Sequence, residues 1–336
     1  MSLEQKLGQL ILVEYRGKDY QASGLQTMIK QQFIGGFLYQ ESNHNFEAPY
    51  DEVRKVKALS QLAMSDATFP LIIAIDQEGG LVNRLSTFHG PLPSAETMTA
   101  SGNPNMALAQ GTQAAKWLLD LGINTDLAPV VDVHTVDPPV LGSRMFGHDP
   151  QTVITYAGAY LKGLQTNGVA GCLKHFPGLG AVTTDPHFSL PTVSRSKADL
   201  HRIDLVPYKR MIRHNNPAMI MVTDVLMSAI DSQLPAELSP KVVDGVLRGE
   251  LGYDGVVITD DLHMEGISRR WALPEAAVLA IIAGNDIIEA PESPSQVANV
   301  IAALKLAVQK GRLSMQRIDQ SVARILTMKM QYAIIE

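Results

Sequence analysis

The chain alternates between short, continuous apolar runs and longer stretches whose apolar positions recur every three to four residues. The runs are Gly8–Val13, Ile34–Tyr39, Pro70–Asp76, Ile123–Val131, Val169–Lys174, Pro217–Asp224, Gly255–Asp260 and Asn285–Glu289. Continuous rather than every-other-residue apolar character predicts strands buried on both faces, as in a parallel sheet covered by helices. The helix-period stretches are Tyr50–Ser65, Asn105–Leu121, Pro150–Gln165, Pro240–Glu250, Pro274–Ala283 and Ser295–Gln309. Pro240 and Pro274 stand near predicted helix starts, where a missing N–H costs least. Eight strands with intervening helices and no linker predict an α/β fold, a single-domain TIM (β/α)8 barrel over residues 1–336, with an extra C-terminal helix at about 315–331. An open doubly wound sheet is the competing topology. No Gly-x-Gly-x-x-Gly opens a helix after a strand, so its dinucleotide-binding version has little support.

Composition narrows the class without changing it. At 336 residues, 46% hydrophobic and 18% charged, the chain can hold one barrel of about 250 residues plus extra helices. A net charge of -6 argues against a nucleic-acid partner. The single cysteine, Cys172, excludes an intrachain disulfide and a Cys-based metal cluster, and its apolar run makes it a core residue. The N-terminal residues lack the regions of a secretory signal, and no segment approaches the ~18 apolar residues of a membrane helix. The expectation is a cytoplasmic enzyme without a membrane partner. No feature specifies an oligomer.

Candidate chemistry sits where the strands end, as expected of a barrel whose active site forms at the C-terminal strand ends. Strand three ends in Asp76-Gln77-Glu78-Gly79-Gly80, with Arg84 just beyond; strand four runs into Asp132, and its loop carries Arg144. Strand five delivers Lys174 and His175 into Phe176-Pro177-Gly178-Leu179-Gly180, followed by Asp185-Pro186-His187. Strands six and seven end in Asp224 and in Thr259-Asp260-Asp261. Any one of these can be a helix cap, and Asp261 is the best case for that structural role. Five strands delivering carboxylates and cations to one mouth point instead to a polyhydroxylated ligand such as a sugar, whose hydroxyls donate to carboxylates and accept from cations.

Retaining glycoside hydrolysis needs a carboxylate nucleophile and a separate proton donor. Asp260 is the candidate nucleophile, and His187 oriented by Asp185 the candidate donor. Pro186 favours extended backbone at Asp185, which lets residues 185 and 187 project to one side. The rival reading is a metal site built on His175, Asp185 and His187. The end of strand one offers only Glu14 rather than paired histidines, so no metal and no cofactor are expected.

Ala74–Gly80, Leu127–Asp132, Lys174–Gly178, Asp185–His187 and Ile258–Leu262 occur in this order, joined by Leu247–Gly255 and Ala283–Asp286. Together they resemble glycoside hydrolase family 3, in its β-N-acetylglucosaminidase (β-N-acetylhexosaminidase) branch and its single-domain form, over nearly the whole chain. The resemblance implies a TIM barrel and a two-step retaining mechanism. Asp260 would be the nucleophile and His187, paired with Asp185, the acid/base. Asp76, Arg144, Lys174 and His175 would bind the sugar. The implied substrate is a terminal β-linked N-acetylglucosamine, from peptidoglycan fragments in many bacteria. Leu179 and Asp224 stand where the branch usually has histidine, and His263 where a small polar residue is commoner. These departures imply an altered aglycone preference or rate. Two alternatives stay open: a glycoside phosphorylase, since a neutral histidine repels phosphate less than a carboxylate does, and a catalytically silent sugar-binding protein.

Overall fold

Eight strands close into a parallel barrel: β1 (Ile11–Val13), β2 (Gly36–Tyr39), β3 (Ile72–Ile75), β4 (Thr125–Asp126), β5 (Ala170–Phe176), β6 (Met219–Val222), β7 (Val256–Asp261) and β8 (Ile287–Glu289). Each pairs with its neighbours in chain order, and β8 closes on β1 with Leu12 opposite Glu289. The computed structural model describes residues 1–45, 53–136, 141–184 and 189–335. Every predicted run locates its strand, with β5 running two residues and β7 one residue past the predicted end; the strand residues are buried apart from the last two of β7, Asp260 and Asp261, which are half-buried at the mouth. The predicted TIM barrel is therefore the observed fold.

Three differences from the predicted elements have local causes. Gly8 and Gln9 belong to a helix, Leu3–Gln9, started by a capping box between Ser2 and Gln5. The fourth run contributes only Thr125–Asp126 and a bridge from Val130 to Lys174, because Pro129 has no N–H to give the ladder. Helices Leu25–Gln32 and Leu205–Asn215 carry neither a side-chain N-cap bond nor proline at their first two positions. By contrast, Asn103, Asp149 and Ser293 cap the helices Pro104–Asp120, Pro150–Gln165 and Pro294–Gln309, each with proline in the first turn.

One contiguous apolar core links the barrel interior to the helices around it. The helix Met315–Gln331 packs beside the N-terminal ends of β1, β2 and β3. From this helix the fully buried Lys329 donates to Gln9 Oε1 at 2.9 Å and to the Gly35 and Pro70 carbonyls at 3.1 and 2.6 Å. The loops at the opposite, C-terminal ends of the strands form a cavity. Gly180 shows how tightly they are set: a Cβ there would lie 1.9 Å from the Val133 carbonyl oxygen, so only glycine lets the loop after β5 pack on the loop after β4.

Candidate active site

A cavity of about 550 Å³ opens at the C-terminal ends of the strands. Its walls include Asp76, Glu78, Arg144, Lys174, His175 and Asp260, so the structure brings together five of the seven predicted site residues. The other two, Asp185 and His187, lie outside the described residues.

The wall carried by β3, β4 and β5 is an ionic ladder. Lys174 Nζ, almost fully buried at the end of β5, lies 2.5 Å from Asp76 Oδ1 and 2.7 Å from Glu78 Oε1. Arg144 grips the same Glu78 with two bonds of 2.8 Å, from Nε to Oε2 and from Nη2 to Oε1. Burial alone would push Glu78 toward neutrality, but Lys174 and Arg144 outweigh it and hold its carboxyl well below the usual range. Burial likewise opposes charge on Lys174, and Asp76 with Glu78 more than restores it. His175 is oriented from behind: Asp132 Oδ2 lies 2.8 Å from Nδ1, while Asp132 Oδ1 accepts the Leu179 N–H at 2.7 Å. Asp132 thus accepts the proton on Nδ1 and fixes the ring, with Nε2 held 3.5 Å from Arg144 Nη2. Each member fixes the next, so the wall is rigid and its exposed polar atoms are aimed before ligand arrives.

The opposite wall, from β6 through β8 to β1, is built differently. Asp260 at the end of β7 accepts from Thr223 Oγ1 at 2.7 Å and from the Asp261 N–H at 3.1 Å. Two hydrogen bonds to two different oxygens fix the carboxyl plane without adding a cation. Asp261 accepts the His263 N–H at 2.7 Å in a local turn but does not cap the helix Glu265–Ser268, which starts at Met264 without a side-chain cap bond, and it lines the cavity. Burial raises its pKa to about 6. Behind them, Asp224 is fully buried and both its oxygens lack a hydrogen-bond partner. Burial and the neighbouring Asp260 raise its pKa to about 9. Gly266 makes room for it, since a Cβ there would meet Asp224 Oδ2 at 2.2 Å. Glu237 is buried in the same way and is pushed well up by burial and by Asp224.

Glu289 was not singled out from the sequence and Glu14 was noted only as a poor metal ligand, yet both line the cavity. The signal was available, because each is a charged residue ending an apolar run, as Asp76 and Asp260 are. Arg84 also lines the cavity, with a buried Nε that has no partner. Of the residues weighed as metal ligands, His175 commits Nδ1 to Asp132. Among the described residues, no three histidine, cysteine or acidic side chains are arranged to hold a metal ion. Leu179 contributes its backbone N–H to Asp132 and an apolar, buried side chain to the cavity wall.

Known proteins share this sequence pattern and fold. Residues 2–328 match the model of the glycosyl hydrolase family 3 N terminal domain. The β-hexosaminidase LpqI of Mycobacterium tuberculosis is 36% identical over 98% of this chain and 83% of its own length. A family 3 β-N-acetylglucosaminidase from Paenibacillus sp. superposes with a TM-score of 0.94 at 36% identity, covering 99% of this chain, which spans 63% of that longer protein. A β-N-acetylhexosaminidase from Beutenbergia cavernae gives a TM-score of 0.87 at 30% identity, with 98% of both chains covered. Sequence match, barrel and strand-end residues agree that this chain belongs to glycoside hydrolase family 3.

Proposed function

We propose that the protein is a retaining β-N-acetylhexosaminidase that removes terminal β-linked N-acetylglucosamine, with peptidoglycan-derived fragments as the substrate class. The observation that carries this reading is Asp260: a carboxylate fixed by Thr223 and by the backbone at the cavity mouth, facing a preassembled polar ladder. Relatives named as β-hexosaminidases and β-N-acetylglucosaminidases support the sugar class. No helix among the described residues is long and apolar enough to cross a membrane, which is compatible with a cytoplasmic location.

In the first step an Asp260 oxygen attacks the anomeric carbon, the bond to the leaving oxygen breaks, and His187 supplies the proton that oxygen needs. Asp185 orients His187. In the second step His187 takes a proton from water, which displaces Asp260 and restores the enzyme. Asp76, Arg144, Lys174 and His175 hold the sugar hydroxyls, the Lys174–Asp76 pair supplying adjacent donor and acceptor. Uncompensated carboxyls around Asp260 favour the positive charge that develops on the sugar ring.

The test is release of a chromophore from aryl β-N-acetylglucosaminide and aryl β-glucoside, with and without phosphate. Preference for the acetamido sugar without phosphate is expected. Strong phosphate stimulation with sugar 1-phosphate formation would make the protein a phosphorylase. Sugar binding without turnover would make it the silent binder that Leu179 and Asp224 first raised.

A further inference from the structure

Two buried carboxyl groups in the cavity have no role in the scheme above. Glu14, at the end of β1, is 5% exposed, and Glu289, at the end of β8, is 3% exposed. Both line the cavity, and each has one carboxylate oxygen, Glu14 Oε1 and Glu289 Oε2, without a hydrogen-bond partner. The closing β1–β8 pair puts their strand ends side by side, with Leu12 opposite Glu289 in the ladder. Among the described residues, the side-chain donor that meets the Glu14 carboxyl is neutral: Gln40 Nε2, 2.9 Å from Oε2. The charges that act most strongly on the pair are acidic, from Asp76, Asp260, Asp261 and Glu292; of the cations, Arg16 is paired with Glu292 at 2.6 Å, and Arg84 lines the same cavity without an ion pair to either glutamate. Burial first, and then this acidic company, pushes both glutamates well above the ordinary carboxyl range.

Buried polar groups normally have partners, and an unmet buried carboxyl is costly enough to call for an explanation. Here the missing partner has a defined chemistry. A hydroxyl-bearing sugar alone leaves the charge imbalance in place. A second acid cannot enter. A primary ammonium supplies three donors and the positive charge that this wall lacks.

We infer that Glu14 and Glu289 form a subsite for the protonated amine of an amino sugar, so that the protein takes β-glucosaminides with a free amine in addition to acetylated ones. The inference rests on the glycosidase reading for the sugar's presence in this cavity, and goes beyond it in naming the group at β1 and β8. Binding the ammonium draws the glutamates to their ionised form and turns a destabilised empty wall into a paired one.

The test measures binding of glucosamine, glucose and N-acetylglucosamine by calorimetry at pH 6.5, in the intact protein and in a Glu14→Gln/Glu289→Gln double variant. The expected result is glucosamine binding about tenfold or more tighter than glucose, the range of a charged hydrogen bond, with that ratio falling to near one in the variant. Should the variant fail to fold, the intact protein still decides: the ratio must fall as pH rises through the amine's own titration, near the α-amino range of about 7.7–8.0. Glucosamine binding no tighter than glucose overturns the inference. So does a preference that survives in the variant, or one that magnesium or calcium ions abolish by occupying the glutamates. Cleavage of aryl β-N-acetylglucosaminide is scored separately, so failure there removes the hydrolase reading while the binding ratio still judges the subsite.

Discussion

The two walls of the cavity solve the problem of buried charge in opposite ways. On the β3–β5 side the carboxylates around the cavity have a cation or an imidazole: Asp76 and Glu78 share Lys174, Glu78 also holds Arg144, and Asp132 holds His175, with the deeper Asp126 of β4 as the exception. On the β6–β8 and β1 side, Asp224, Asp260, Asp261, Glu289 and Glu14 face one another, and among the described residues no lysine or arginine is paired with any of them. The paired wall is rigid and nearly neutral, suited to holding hydroxyls in one pose. The unpaired wall holds carboxyls that burial and mutual repulsion push toward neutrality, and they ionise more readily when a cation or a developing positive charge enters. In the proposed mechanism, binding and chemistry fall on different sides of the same barrel.

The largest expected effect comes from breaking the unpaired wall at its centre. Asp260→Asn should lower kcat for aryl β-N-acetylglucosaminide by about 10³-fold or more, as loss of a nucleophile does, with an unchanged melting curve. Retention of more than a tenth of the activity would remove Asp260 from the chemistry.

Lys174→Met attacks the other wall and should hurt the fold as well as the rate. It leaves Asp76 and Glu78 buried without their shared cation, a change that costs about 3–5 kcal/mol in comparable pairs. Denaturant unfolding measures it. A loss below about 1 kcal/mol would mean the ladder is not the rigid unit its geometry indicates. Arg144→Lys is milder, since it keeps the charge and gives up the two-pronged grip on Glu78. A rise in KM of about tenfold with a smaller change in kcat is expected.

The smallest effect sharpens the contrast through pH. Asp224 has a folded pKa of about 9, raised above its unfolded value near 3.9. Between those values the folded state binds the extra proton, so this group's contribution to stability falls as pH rises from about 4 to about 9. Asp224→Asn keeps the neutral shape and should flatten that slope, by on the order of 1–3 kcal/mol between pH 5 and pH 8. Unfolding free energies of both proteins at the two pH values test this. Parallel pH profiles would show that Asp224 is not buried neutral.

Much of the barrel was legible in the sequence because its signals are local. Apolar runs bounded by polar residues locate strands, and proline or a capping residue locates a helix start. Helices Leu25–Gln32 and Leu205–Asn215 escaped: they begin with neither a side-chain cap bond nor proline at the first two positions, so neither of those local signals marks their starts. The site was legible as a set of strand-end residues, and Asp76, Arg144, Lys174, His175 and Asp260 do meet at one cavity. Glu289 was missed and Glu14 passed over because motif spacing drew attention to strands three to seven.

What the sequence by itself determined is the order of strands and helices, and the chemical type of residue that each strand carries to its end. Only the tertiary structure decided the partners. Closure of β8 on β1 brings Glu289 beside Glu14, and the approach of the β4 and β5 loops seats Asp132 behind His175. Those partnerships set which carboxyls are compensated and which are not. Coulomb energy and desolvation depend on distance in space and on burial, and neither can be read from position along the chain.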